Sequence, residues 1–203
     1  MTLDDLLPRS AAESGGAEPH KDTLDELSAE ASYALQQIQN RIGRSHIPEA
    51  KVRFPRGYLR EARLWRSTVS FLASTDLQKN IAYTLMLYDV QAWVLRRTDL
   101  EGQPREMLVK GAIAFLASVA EALLVAATSP PLGRRQMIAS RIQHLLAETK
   151  IDEHLSGELL WLWGVRNRQH LYELDAPEFD VYSRADHPRA EAAVAHLIKV
   201  LQA

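Results

Sequence analysis

The sequence lacks cysteine altogether among its 203 residues. Disulfide bonds, thiolate zinc sites, cysteine-ligated iron–sulfur clusters and cysteine nucleophiles are therefore excluded. A large excess of either charge is also missing, because 24 Lys and Arg stand against 26 Asp and Glu. The net charge of −2 provides no bulk attraction to nucleic acid or to anionic lipid. Because a chain without cysteine suits a reducing compartment, we expect a cytoplasmic protein.

A secretory signal is not recognisable in the first residues. Asp4 and Asp5 stand where a signal peptide carries Lys or Arg, and no apolar segment follows them. The most apolar stretch, residues 107–128, contains both Lys110 and Glu121. A membrane-spanning helix rarely carries two charged residues, so we expect this stretch to be a buried central helix and expect no membrane partner.

The spacing of the apolar residues predicts an all-α fold. Residues 1–22 are rich in Gly, Pro and small side chains, and we expect a flexible N-terminal tail there. Over residues 23–203 the apolar residues recur every three or four positions, which predicts a single domain, a bundle of six or seven helices. Neither an alternating strand pattern nor an internal repeat is present. The predicted helices cover residues 23–42, 58–72, 76–97, 105–127, 136–148, 153–172 and 186–202.

Charge is unevenly distributed along the chain. Residues 1–40 contain two basic and eight acidic side chains, whereas residues 41–66 contain eight basic and two acidic ones. Within the basic run, Arg56, Arg60 and Arg63 are candidate RNA-binding residues, since the planar guanidinium group suits phosphate. The alternative interpretation is a solvated helix face that pairs with the acidic first helix.

Several motifs that carry chemistry are missing. The sequence has no glycine-rich phosphate loop, no HExxH motif and no GxSxG elbow. Among its seven histidines, His170 has a carboxylate one helical turn away, Glu173. A di-iron bundle needs paired Glu-x-x-His units, which are absent. We therefore expect no metal ion and no cofactor.

The most informative segment reads Trp-Leu-Trp-Gly-Val-Arg-Asn-Arg-Gln-His-Leu-Tyr, over residues 161–172. On one helix, Arg166 and His170 are four residues apart and share a face, with Asn167 beside them. In a metal-independent RNA cleavage, the imidazole can transfer protons while the guanidinium group stabilises charge on the phosphate. The same residues can equally be polar groups at a helix C-terminus, with His170 hydrogen-bonded to a loop.

This segment resembles the signature region of the HEPN superfamily, a group of helical bundles that includes RNA-cleaving toxins and antiviral effectors. The similarity of element order covers roughly residues 102–202. Arg166, Asn167 and His170 match the arginine, the polar residue and the histidine of the family motif. Only three residues separate Arg166 from His170, fewer than the family pattern usually has.

The resemblance implies a metal-independent endoribonuclease of a toxin or defence type. Arg166 would stabilise the phosphate, His170 would be the acid–base group, Asn167 would orient them, and Arg168 would contact RNA. It also implies a homodimer, with an antitoxin or another protein as a possible partner. The alternative function is a non-catalytic binding or assembly module for a protein or a nucleotide, because such members of the superfamily also exist.

Overall fold

A computed structural model describes residues 1–7, 21–129, 131–133, 135–168, 177–178 and 181–203. This part of the chain is all-helical and contains no strand, which confirms the predicted fold class. It comprises one short 3-10 helix, η1, and seven α-helices. Their bounds are η1 Leu3–Leu6, α1 Lys21–Ile42, α2 Ala62–Thr68, α3 Thr75–Arg97, α4 Gln103–Thr128, α5 Ile138–Ala147, α6 Glu153–Asn167 and α7 Asp186–Gln202.

The chain divides into two compact units, which differs from the expected single domain over residues 23–203. The first unit, which we call the bundle, comprises residues 1–7 and 57–203. The second, the N-terminal unit, comprises residues 8–56 and contains α1. Large apolar side chains of α1, among them Leu24, Leu27 and Leu35, are exposed. Their helical spacing was predicted correctly, but it does not produce a buried stripe.

Helix α4 is the central helix of the bundle. It contacts α3, α5, α6 and α7, and buried residues occur all around it. Gly102 precedes the helix with φ of +68°, a left-handed conformation that glycine adopts without strain. Pro104 lies in the first turn, where a missing amide hydrogen is harmless.

The same helix is the one in the described ranges that is long and apolar enough to cross a membrane by length and composition alone. In the bundle, 61% of its most apolar window is buried against neighbouring helices. Its charged residue Lys110 is buried and forms an ion pair with Glu178. The burial agrees with the expected central helix, while the absence of a membrane partner stays a prediction.

Helix α2 contains the last residues of the basic run, and it packs against α3 in the bundle. Helix α2 is shorter than predicted, because the backbone turns at Gly57 with φ of +88° and becomes helical only at Ala62. Trp65 is fully buried. Helix α3 is capped by Ser74, whose side chain accepts a hydrogen bond from the Leu77 amide at 3.2 Å.

Residues 1–7 do not belong to a flexible tail, which corrects the expectation for residues 1–22. The Thr2 amide donates to Asp5 Oδ2 at 2.6 Å, and this contact closes η1. Leu3 is fully buried in the core, and η1 packs against α7. Leu6 and Leu7 are partly buried and also pack against the core, a contribution that the composition of residues 1–22 as a whole conceals. Residues 8–20 lie outside the described residues.

Replacing Leu3 with alanine should therefore destabilise the bundle. We expect a loss of about 2 kcal/mol in the free energy of unfolding, because truncation of a buried leucine leaves a cavity. Urea unfolding monitored by circular dichroism measures this change. The exposed Met1 provides the control, since Met1→Ala should change stability by less than about 0.5 kcal/mol. A Leu3→Ala variant as stable as the wild type would show that η1 does not contribute to the core.

Candidate functional site

The candidate site lies at the C-terminal end of α6. Asp152 caps the start of this helix and accepts a hydrogen bond from the Leu155 amide at 2.7 Å. The buried residues Leu155, Leu159 and Leu162 fix one face of the helix against the core. Arg166 then falls in the last turn, where the negative end of the helix dipole favours a cation.

Arg166 is held at the bundle surface by two contacts. Its Nη2 lies 3.4 Å from Glu121 Oε2 on α4, and its guanidinium carbon lies 4.8 Å from the centre of the Trp163 ring. The side chain is 35% exposed. Because 3.4 Å is long for a charge-assisted hydrogen bond and guanidinium has five N–H donors, Arg166 has donors that no residue of the described ranges occupies.

The neighbouring predicted residues extend this surface. Asn167 is the last residue of α6, Arg168 follows it at the C-cap, and both are exposed. The structure therefore brings Arg166, Asn167 and Arg168 together at one helix end. His170 lies outside the described residues, so its pairing with Arg166 stays a prediction.

Arg60 was predicted to bind RNA, and the structure corrects this. The side chains of Arg60 and Asp89 form an ion pair, and the Arg60 amide donates to Asp89 Oδ2 at 3.0 Å. Arg60 also pairs with Asp4 and stacks on Trp65, with its guanidinium carbon 4.0 Å from the ring centre. Burial lowers the pKa of Arg60, but the hydrogen bond and charge of Asp89 outweigh it, and the net pKa is raised. Arg60 is a structural anchor.

One residue in the sequence, Asp89, indicates that a buried partner such as Arg60 is needed. Asp89 lies on the buried side of α3, next to Tyr88 and one turn after Leu85, and its side chain has no exposed surface. Its Oδ2 also accepts a hydrogen bond from the Trp65 indole at 3.2 Å. A carboxylate on an apolar stripe requires a buried donor partner, so Asp89 predicts one even though the sequence does not identify it.

The other two candidate RNA-binding arginines, Arg56 and Arg63, are exposed. Arg63 lies in the first turns of α2 in the bundle, whereas Arg56 belongs to the N-terminal unit. Both remain candidate RNA-binding residues. The proposed pairing of the basic run with the acidic first helix stays a prediction as well.

A polar cluster that our sequence reasoning missed connects α3 to α7. The Tyr88 hydroxyl lies 2.8 Å from His187 Nε2, and Arg96 Nη2 donates to Glu191 Oε2 at 2.6 Å. Tyr88, His187 and Glu191 are all buried. Burial, together with the charges of Arg96 and Arg105, lowers the pKa of His187 to about 4.

No family model matches this chain. No curated protein and no solved structure matches it either.

Within the described ranges, no three His, Asp or Glu side chains are placed to hold a metal ion together. That no metal or cofactor is needed stays a prediction.

The low pKa of His187 predicts a loss of stability in acid. Between about pH 6.5 and pH 4 the unfolded chain binds a proton that the folded His187 does not, so stability is complete above pH 6.5 and falls as the pH is lowered. We expect the wild type to lose about 2 kcal/mol more than His187→Gln between pH 7.5 and pH 5. Urea unfolding at both pH values measures this, with the exposed His154→Gln as control. Equal losses in the wild type and His187→Gln would contradict the prediction.

Proposed function

We propose that this chain binds and cleaves RNA, as a HEPN-like endoribonuclease of a toxin or defence type. The exposure and pairing of Arg166 support this proposal best. Its side chain lies at the surface, and its ion pair in the described ranges is a long one, with Glu121. Arg60, by contrast, has its guanidinium group bound by two carboxylates. A guanidinium group with free donors at the surface is suited to bind a phosphate.

The proposed reaction needs no metal ion. The 2′-oxygen of a ribose attacks the adjacent phosphorus as its proton leaves, and the bond to the 5′-oxygen of the next nucleotide breaks as that oxygen takes up a proton. His170 would transfer a proton in this sequence, and Arg166 would stabilise the added negative charge on the phosphate oxygens. Asn167 would orient the reacting groups. The products are a 2′,3′-cyclic phosphate and a 5′-hydroxyl.

Exposed cations support binding of the RNA backbone. Arg168 lies at the same helix end as Arg166, and Arg63 is exposed elsewhere on the bundle. Arg56, in the N-terminal unit, is kept as a candidate RNA contact on its charge alone. By resemblance to the HEPN superfamily, the active form would be a homodimer in which two such helix ends meet.

A comparison of two substrates tests the proposal. Wild-type protein in EDTA should cleave a single-stranded RNA and leave 2′,3′-cyclic phosphate ends. The 2′-O-methyl form of the same RNA should remain intact, because its 2′-oxygen cannot attack. Cleavage of both substrates, or complete inhibition by EDTA, would contradict this mechanism.

The second candidate function is a non-catalytic binding or assembly module. It is favoured by the large apolar side chains that α1 exposes, which include Leu24, Leu27, Tyr33 and Leu35. The bound partner would be a protein, for example an antitoxin. The same assay separates the two functions, since this candidate requires that neither RNA is cleaved.

A further inference from the structure

A small cavity lined by basic side chains lies in the bundle where α3 ends and where α4 and α7 begin. Its volume is about 220 Å³, and its polar lining consists of Arg96, Arg105, Arg184 and His187. Apolar side chains such as Val109 complete the wall. We call this cavity the arginine pocket. It is distinct from the site at the end of α6, and none of its lining residues belongs to that site.

The three arginines are unequally neutralised. Arg184 pairs with Glu101, but both side chains are mostly exposed, and such pairs are weak. Arg96 donates to the buried Glu191, and its Nη1 lies 3.9 Å from Asp4. Arg105 has no carboxylate within 4.0 Å in the described part of the chain. Its Nε is buried and has no hydrogen-bond partner there.

The helix ends around the pocket add positive potential. Helices α4 and α7 both begin here, and the N-terminus of a helix carries partial positive charge on its free amide groups. The acidic residues of their first turns, Glu106 and Asp186, do not line the pocket. The guanidinium group of Arg105, which no described carboxylate neutralises, adds to the positive potential of the two helix N-termini, and a bound anion would offset this charge.

The size of the pocket limits the anion. Pockets for drug-sized ligands have volumes of roughly 300–1,000 Å³, so about 220 Å³ accommodates a small group rather than a whole nucleotide. A phosphoryl group suits three guanidinium forks because it offers several oxygens for paired hydrogen bonds. We propose that the arginine pocket binds the dianionic phosphate of a phosphate monoester, either on a free nucleotide or at the end of an oligonucleotide. This proposal does not depend on RNA cleavage at Arg166.

Calorimetric titration with inorganic phosphate tests the pocket directly. The titration is done at constant ionic strength and slightly alkaline pH, where phosphate is mainly a dianion. We expect binding with a dissociation constant of about 1 mM or tighter, and about tenfold weaker binding by Arg105→Gln. Arg97→Gln, which removes an exposed cation one residue beyond Arg96, should bind as the wild type does. Thermal melts verify that each variant is folded.

If Arg105→Gln does not fold, Arg184→Gln replaces it, because Arg184 is exposed and contributes little to the core. Absence of phosphate binding by the wild type would overturn the proposal. Unchanged affinity in a folded pocket variant would overturn it as well, and so would an equal loss of affinity in Arg97→Gln.

Two further titrations distinguish the sources of the phosphate. If adenosine monophosphate binds more tightly than inorganic phosphate and adenosine does not bind, the ligand is a free nucleotide. A 5′-phosphorylated oligoribonucleotide that binds more tightly than its 5′-hydroxyl form supports a nucleic-acid end. Equal binding of the two oligonucleotides, with no competition from inorganic phosphate, would overturn the proposal.

Discussion

Replacing Asp89 with alanine is expected to lower the free energy of unfolding by about 3–5 kcal/mol. The carboxylate of Asp89 is completely buried and accepts hydrogen bonds from the Arg60 amide, the Arg60 side chain and the Trp65 indole. Its removal leaves the Arg60 guanidinium half-buried without its main counter-ion and leaves the indole N–H without its acceptor. Removal of one member of a buried ion pair is costly because the remaining charge stays desolvated.

Denaturant unfolding of Asp89→Ala measures this effect, and Arg63→Gln is the matched control. Arg63 belongs to the same basic run but is exposed, so its replacement should change stability by less than about 0.5 kcal/mol. A loss below about 1 kcal/mol in Asp89→Ala would show that the pair does not anchor α3 to the segment around Arg60.

Replacing His170 with alanine is expected to reduce the rate of RNA cleavage by about 10²–10⁴-fold, the usual contribution of a positioned acid–base group. Arg166→Ala should reduce it by about 10²–10³-fold, because charge stabilisation of the transition state is lost. The Arg166 variant should remain folded, since its side chain is a third exposed and makes one long ion-pair contact. Initial cleavage rates and thermal melts of the same preparations measure both properties.

Exposed residues elsewhere in the bundle provide matched controls for this pair. His154→Ala removes an exposed histidine at the start of α6, and Arg97→Ala removes an exposed arginine at the end of α3. Neither should change the cleavage rate by more than about twofold, since neither lies at the end of α6. Full activity in both His170→Ala and Arg166→Ala would contradict the proposed roles. Loss of folding in Arg166→Ala would instead favour the binding-module function.

The helices themselves were predictable because their signals are local. The buried stripe of α3, which includes Ile81, Leu85 and Leu95, recurs every three or four residues, and the structure buries it. Helix α7 begins at Asp186, where Asp-His-Pro predicted a helix start. The predicted helix ends were less accurate. Helix α2 begins later than its apolar stripe, because Gly57 and the hydrogen bond from the Arg60 amide to Asp89 hold the preceding chain in a turn.

The roles of individual polar residues were harder to predict because their partners are distant in sequence. Arg60 and Asp89 are separated by 29 positions, and Tyr88 and His187 by 99. Spacing along a helix shows which residues share a face but not what lies opposite that face. For this reason Arg60 resembled Arg63 in the sequence, although one is anchored in the bundle and the other is exposed.

By itself, then, the sequence determined the all-α fold class and a bundle of six or seven helices, because hydrophobic periodicity and helix-terminal residues act within a few turns. Only the tertiary structure decided that Leu3 belongs to the core, that Arg60 is a buried ion-pair partner, and that three arginines from separate helices and loops line one cavity. These outcomes depend on which helix ends meet in space. The packing of the apolar helix faces determines which helix ends contact one another. The burial and pairing of each charged residue follow from these contacts.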